Sequence, residues 1–492
     1  HDALPIYIVD SVTYWAKEYN MDGFRFDLMG LTDLETMKAV RAALDKIDPS
    51  IIIVGEGWDM NSTMPKSQMS IQPNAYELDN GTSTVAFFND SIRDGLKGSV
   101  FSATDTGFVS GKQGTEKLIM NNMLGCRNLD NTAAGAFCTN GNANAKYASA
   151  NQVVQYVEIH DNLTLNDKLE KSLFQGDDAS KLTDAQKKTE IVTTSKLANS
   201  AIFLANGVSE MQLGQEFLRT KGGNDNSYNA GDSVNAIDWD RLNDAEYADH
   251  AQYVRDLIAL RKKTAAFRIA DYNEITKNSK ELKSDNGVVA YEISDDSGTY
   301  VVVLNNNKAT ADVPNVKAGE YGVLVSNGKT YMHPGKTEAV AARAASTGVD
   351  ASQAGSTITV NDGDNVVVPA MSAVVLGPTS AMKSTDEPTT PTNPDNPDNP
   401  DQPTTPTTPT NPENPSQPSQ PGTSGEKGNA GEKNNAGAKK PNGSTSAKVK
   451  ENAPVITAMA STGSRTALFI VMAATLLMAG AIIVITVRRQ RD

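Results

Sequence analysis

The sequence predicts an α/β fold followed by an all-β sandwich. Three observations carry this: short apolar strands alternate with helical patterns from Ile6 to Phe267, the pattern changes after Arg268 to closely spaced strands, and a proline-rich tract begins near residue 379. Gly23 to Asp27 reads as a strand. Thr32 or Asp33 can cap the helix LETMKAVRAALDKID, whose apolar residues recur at helical spacing before Pro49 and the apolar strand Ile51 to Val54. Further strands are expected at Val85 to Phe88, Val153 to Ile159 and Val208 to Leu213, with helices near Ala185 to Ala205 and Glu246 to Lys263. A strand, helix, strand rhythm of this kind builds a parallel sheet.

Residues 269–378 read as the sandwich, from segments such as GVVAYEIS, TYVVVLNN, GEYGVLVS, STITVND and NVVVPAMSAVVLG separated by Gly, Asn and Asp turns. Residues 379–458 form a stalk, first rich in Pro, Thr and Asn and then in Lys, Asn and Gly, too polar to pack a core. Residues 467–487, ALFIVMAATLLMAGAIIVITV, are uncharged and long enough to cross a bilayer as a helix, and Arg488, Arg489 and Arg491 then mark the cytoplasmic side. Everything before the span is expected to face outward. The chain opens on His1 and Asp2 without a Met, so its true N-terminus is expected to lie upstream.

The 492 residues, 38% of them hydrophobic, suffice for one large core and a smaller one. A net charge of −14 implies no broad basic face and argues against a nucleic-acid partner. The two cysteines, Cys126 and Cys138, lack the spacing of a zinc ribbon and read either as a surface disulfide or as two free thiols.

Three motifs carry chemistry. In Asp22-Gly-Phe-Arg-Phe-Asp27, strand alternation puts Arg25 and Asp27 on one face and Phe24 and Phe26 on the other. In a parallel barrel the aromatics pack outward on helices and the charged pair points inward at the strand's C-terminal end, where such barrels build their sites. The same pair would also serve as a structural ion pair. Val54-Gly-Glu-Gly-Trp58 places Glu56 at the mouth of the next strand, between glycines that permit close approach of a ligand, with Trp58 as a flat face for a sugar ring. Tyr156-Val-Glu-Ile-His-Asp-Asn162 ends a third strand with His160 and Asn162 beside another acid, Asp161.

Together GFRFD, GEGW and HDN, in that order at strand ends, resemble the α-amylase family of glycoside hydrolases. The resemblance implies a (β/α)8 TIM barrel with residues 1–268 as its C-terminal part, about strands 4 to 8. It implies Asp27 as nucleophile, Glu56 as general acid and base, and Asp161 as the third carboxylate, with Arg25, His160 and Asn162 holding the nucleophile and the sugar. The chemistry asks for two carboxyls about 5 Å apart, one ionised and one protonated. Arg25 would keep Asp27 ionised, while apolar surroundings and nearby negative charge would raise the pKa of Glu56.

Within that family the text DGFRFDLMG, EGW, AFFND, HDNLTL and Gly214-Gln-Glu-Phe-Leu-Arg-Thr-Lys-Gly-Gly223, with Asn226-Ser-Tyr-Asn229, resembles type I pullulanases from about residue 6 to 378. That implies cleavage of α-1,6 branch linkages in pullulan, starch and glycogen, with Trp58 stacking on a glucose and Tyr228 and Asn229 at the cleft rim. An α-1,4-acting or dual-specificity amylase, or a silent surface glucan-binding protein, are the alternatives. No cofactor is needed for the chemistry; structural calcium is common in the family, and spacing alone identifies no ligand set. The family's earlier strands have no counterpart in the sequence, so the chain alone is expected to be inactive. Met459-Ala-Ser-Thr-Gly463 ahead of the span resembles a sortase signal, which implies cleavage between Thr462 and Gly463 and attachment to Gram-positive peptidoglycan; the alternative is a span retained as a single-pass membrane anchor. Residues 459–492 are thus read as a sorting segment.

Overall fold

The computed structural model describes residues 3–60, 62–127, 136–140, 143–176, 180–335, 348–382 and 483–484. The chain divides into two compact units, His1–Thr385 with Ile482–Asp492, and Asp386–Ala481; the second, with most of the expected stalk, lies outside the described residues.

Helix α1 (Ala3–Tyr19) leads into strand β1 (Gly23–Phe26), helix α2 (Leu34–Asp45) and strand β2 (Ile52–Gly55). Asp33 is the residue that caps α2: its carboxylate accepts from Thr36 N at 2.8 Å, satisfying a donor the first turn leaves open. Then come β3 (Ala86–Phe88), α3 (Asp90–Lys97), α4 (Glu116–Met123) and the hairpin β4 (Ala136–Asn140) and β5 (Ala143–Tyr147). They are followed by β6 (Val153–Gln155), α5 (Leu165–Leu173), α6 (Asp184–Phe203), β7 (Val208–Ser209), α7 (Asp232–Asn235), α8 (Ala245–Lys263) and α9 (Tyr272–Asn278).

Strands β1, β2, β3, β6 and β7 pair in that order, each parallel to its neighbour, as expected of strand, helix, strand units. Alternation sorts their side chains as the sequence predicts. Phe24, Ile53, Phe87 and Val153 join the core formed with α1 and α2, while Val54, Ala86, Phe88, Val154 and Tyr156 pack together in a separate cluster on the opposite face. The guanidinium of Arg25 lies 5.8 Å from the Phe88 ring centre, on that second face. On the outer edge of β1, Ile483–Val484 (β18) pairs antiparallel with Phe24 and Arg25. These two residues fall within the expected span 467–487, whose other residues lie outside the described ones; no helix of the described residues is long and apolar enough to cross a membrane.

The all-β region follows as β8 (Ser279–Asp285), β9 (Val288–Asp295), β10 (Gly298–Asn305), β11 (Ala311–Val313), β12 (Gly319–Ser326), β13 (Lys329–Thr330), β14 (Val349–Asp350), β15 (Thr357–Val360), β16 (Val366–Val368) and β17 (Ser372–Gly377). It holds a seven-stranded sheet and a three-stranded one, β11-β16-β14, around a core of Val288, Val301, Val303, Val323, Val366 and Val374. Its other face shares one continuous core with α6 and α8, where Leu197, Ile202, Val254 and Leu257 cluster with Val302, Leu304 and Val375. Order continues past residue 378: Thr379–Met382 forms a 3-10 turn, with Ala381 and Met382 packed on that shared core.

The cysteines resolve to a disulfide between Cys126 and Cys138, and both residues are buried, so the expected surface bridge is an internal one. It lies beside Asn122, whose side-chain oxygen accepts from Asn89 at 2.8 Å; Asn89 also donates to Gln155 at 3.2 Å. This polar cluster sits under the ends of β3 and β6.

Candidate active site

The first carboxylates stand where β1 and β2 end side by side. Glu56 N donates to Phe26 O at 3.2 Å and Gly30 N to Glu56 O at 2.8 Å, so backbone bonds fix one strand end against the other. After Asp27 the chain turns sharply through Leu28, which adopts a left-handed φ of 46°. That turn aims the Leu28 N–H at Glu56 Oε2, at 2.9 Å.

Arg25 joins the two acids. Its Nη1 donates to Asp27 and its Nη2 to Glu56 Oε1 at 2.6 Å. The Asp27 side chain is 56% exposed and Glu56 only 11%, so one carboxyl faces solvent while the other is set into the sheet mouth. Burial raises the pKa of Glu56; Arg25 and the Leu28 N–H oppose this, and the negative charges of Asp27 and Asp161 add to it. The direction matches the sequence expectation. The role of Arg25 is wider than expected, because it holds both acids rather than Asp27 alone.

The glycines flanking Glu56 do not open space for a ligand. A Cβ on Gly55 would lie 2.5 Å from Met29 Sδ, and one on Gly57 would lie 2.3 Å from Phe87 Cδ1. They permit close packing of protein against protein behind the acid. Trp58 is half-buried and packs on the inner cluster, with the Arg93 guanidinium 5.9 Å from its ring centre.

The third motif curls away from the sheet sooner than its apolar pattern predicts. Strand pairing stops at Gln155, where the expected strand runs to Ile159. Tyr156 stays buried and accepts from Arg93 Nη1 at 3.0 Å. Glu158 is buried as well, accepts from Leu165 N across the loop, and is pushed up to about 7 by burial. This internal tie leaves His160 and Asp161 outside, with side chains 45% and 60% exposed and Nε2 3.7 Å from Oδ1. Asn162 takes a left-handed φ of 63° at the loop's apex. The His160 pKa is lowered, chiefly by burial and then by Arg25 and Lys221, against the charges of Asp161 and Asp27.

Arg25, Asp27 and Glu56 at the ends of β1 and β2 thus act electrostatically with His160 and Asp161 of the loop after β6, which β3 separates from β2 in the sheet. Tyr228 and Asn229 are exposed on the loop leading to α7, while Thr462 and Gly463 lie outside the described residues. Sequence reasoning missed Glu210, directly after β7, whose N–H donates to Gln155 O at 2.9 Å. Burial pushes its carboxyl up to about 7, and Arg25 is the charge that opposes this. An acid within the predicted strand Val208-Ser-Glu-Met-Gln-Leu213 is the signal that could have found it. Among the described residues no group of three or more His, Cys, Asp or Glu is arranged to hold a metal ion.

No protein-family model matches the chain. It is 35% identical over 289 residues to the pullulanase of Bacillus subtilis strain 168, covering 59% of this chain and 36% of that protein. It is 28% identical over 396 residues to pullulanase A of Streptococcus pneumoniae serotype 2, covering 71% and 28% respectively. Among solved structures, the pullulanase from Bacillus acidopullulyticus superposes with a TM-score of 0.61 at 32% identity, over 76% of this chain and 40% of that one. The pullulanase of Anoxybacillus sp. LM18-11 complexed with maltotetraose gives 0.59 at 30% identity, over 76% and 46%. The chain spans 36% or less of these curated relatives and under half of these solved structures. Over about three quarters of its length the chain is similar in sequence and fold to pullulanases.

Proposed function

We propose that this chain carries the carboxylates of a retaining hydrolase that cleaves α-1,6-glucosidic branch linkages in pullulan and related α-glucans. The observation that carries this reading is the single guanidinium of Arg25 bridging an exposed acid, Asp27, and a buried one, Glu56. Retaining glycosidases need two close carboxyls in different protonation states. Here the environments differ in the required sense, because burial favours a proton on Glu56.

In this scheme Glu56 gives its proton to the glycosidic oxygen as the carboxylate of Asp27 attacks the anomeric carbon and the C–O bond breaks. Water then attacks the glycosyl–Asp27 ester, giving its proton back to Glu56, and Asp27 leaves as a carboxylate. Asp161 stabilises the positive charge that develops on the sugar ring, and its charge also helps to raise Glu56. Arg25, Trp58, His160, Asn162, Tyr228 and Asn229 surround the sugar. The scheme needs no cofactor; a calcium ion, if bound, would support the fold. The α-1,6 linkage is supported by the pullulanase identity of the relatives.

In the full-length protein, Glu56→Gln should slow maltotriose release from pullulan by about 10²–10⁴-fold, the span expected for loss of a general acid. Hydrolysis at the wild-type rate would overturn the assignment.

The proposal extends to location: an extracellular protein held on a Pro-rich stalk, with Thr462 joined to peptidoglycan by a sortase and the span 467–487 removed. The supporting observations are the composition of 379–458 and the apolar run followed by arginines.

A further inference from the structure

The loop that carries Tyr228 and Asn229 begins after Phe217 and contains a lysine in an unusual place. Lys221 is 7% exposed, although a lysine ordinarily keeps its ammonium in water. Its Nζ donates to His160 O at 3.1 Å and to Ser227 Oγ at 2.7 Å. One acceptor belongs to the loop that carries Asp161, and the other is the residue before Tyr228. Ser227 is itself 4% exposed, and its carbonyl accepts from Asn235 Nδ2 at 2.6 Å.

A second tie joins the same two loops through backbone. Asp167 Oδ2 accepts from Lys221 N at 2.9 Å and Gly223 N at 3.0 Å, while its Oδ1 takes the Thr220 hydroxyl. Asp167 lies in the first turn of α5, six residues after Asp161, so it anchors the base of the lysine to the segment that its ammonium reaches further along. Burial, and next Arg219, lower the Lys221 pKa, while the carboxylates of Glu158, Asp161 and Asp167 oppose this and favour the charged form.

We propose that Lys221 is a positioning residue that fixes the Tyr228–Asn229 rim relative to His160 and Asp161, so that a glucan touching both meets them in register. This rests on the glucan-hydrolase reading for its substrate, but the strut itself does not depend on which substrate is bound. Lys221→Met keeps the stem and removes both side-chain bonds. Ser227→Ala removes only the rim end, and a lost hydroxyl is mild enough to leave the fold intact where the lysine variant fails to fold.

The test uses the full-length protein in two arms. In hydrogen–deuterium exchange, Lys221→Met should speed exchange in both 158–164 and 224–230, and Ser227→Ala in 224–230 alone. In kinetics on pullulan, Ser227→Ala should raise KM about tenfold, as expected for a lost bond to a charged donor, with kcat within about twofold. Lys221→Met should raise KM at least as much and also lower kcat, Lys221→Arg should restore part of both, and the double variant should be no worse in KM than Lys221→Met. Unchanged exchange in both segments of Lys221→Met, or multiplicative KM effects in the double variant, would overturn the strut. If the wild type releases nothing from pullulan, the hydrolase reading falls and the exchange arm alone decides for or against the strut.

Discussion

His250 provides a test of how the segment after β7 is held, independent of any substrate. It lies on α8, fully buried, with Nδ1 2.7 Å from Glu216 O and Nε2 3.0 Å from Ser195 Oγ on α6. A carbonyl only accepts, so Nδ1 carries the proton, and Nε2 then accepts from the serine hydroxyl. A second proton would place a cation in a fully buried site, beside Lys196; burial, and next that lysine, hold the pKa down at about 4 against an ordinary 6.5, while the Glu216 bond and Asp249 oppose. Between those values the unfolded chain binds a proton that the folded one refuses. The stability contribution is therefore fully present above pH 6.5 and is lost as pH falls toward 4. At 1.36 kcal/mol per pKa unit, the loss is about 3 kcal/mol. His250→Asn keeps a donor for Glu216 O and cannot ionise. It should cost about 1 kcal/mol at pH 7 through the lost Ser195 bond. Denaturant unfolding of both proteins from pH 7 to pH 4 should show the wild type losing about 3 kcal/mol more than the variant over that range. A difference that stays constant with pH would refute the assignment of a buried neutral imidazole.

Three further outcomes follow from packing and cross-linking. Gly57→Ala drives a Cβ to 2.3 Å from the buried Phe87 ring and should cost about 1–3 kcal/mol by overpacking. Because the overlap sits one residue from Glu56, kcat should fall as well, by as much as about 10²-fold for a 1 Å displacement. Gly319→Ala, whose Cβ meets nothing nearer than 3.6 Å, should change stability by less than about 0.5 kcal/mol in a thermal melt. Replacing both Cys126 and Cys138 by Ala removes a cross-link over a sequence separation of 12 and should destabilise by about 3 kcal/mol in chemical denaturation; an unchanged midpoint would show that the bridge constrains nothing.

Much of the scaffold was legible because strand and helix periods differ. Alternation alone sorted Phe24 from Arg25, and the cap of α2 was narrowed to Thr32 or Asp33 by their place before an apolar helical run, with Asp33 the one that caps. Strand ends were less legible. Val153 to Ile159 and Val208 to Leu213 look like uninterrupted strands, yet pairing stops at Gln155 and Ser209. Beyond those points polar bonds replace the apolar pattern: the buried Glu158 carboxylate accepts from Leu165 N seven residues on, and the last rung between the two strands is Glu210 N to Gln155 O. Such bonds leave no periodic trace. The glycines beside Glu56 misled for a related reason, since sequence cannot tell whether the space a glycine leaves is filled by a ligand or by Met29 and Phe87. Pairing of the cysteines was beyond reach because it depends on how α4 brings Cys126 against the β4–β5 hairpin.

The continuous core between α6, α8 and the β-sandwich bears on where this protein could exchange parts with a relative. Residue 268 looks like a seam in the sequence, but Leu197, Val254 and Leu257 would lose Val302, Leu304 and Val375 if the chain were cut there. Polar ties cross the same line: Thr330 bonds to Asp256 at 2.6 Å, and Gly287 N to Glu116 at 2.7 Å. The heritable module is therefore the sandwich together with the helices beneath it. Recombination with a protein of similar fold should leave folded products when α6, α8 and the sandwich come from one parent, and misfolded ones when the crossover falls between them.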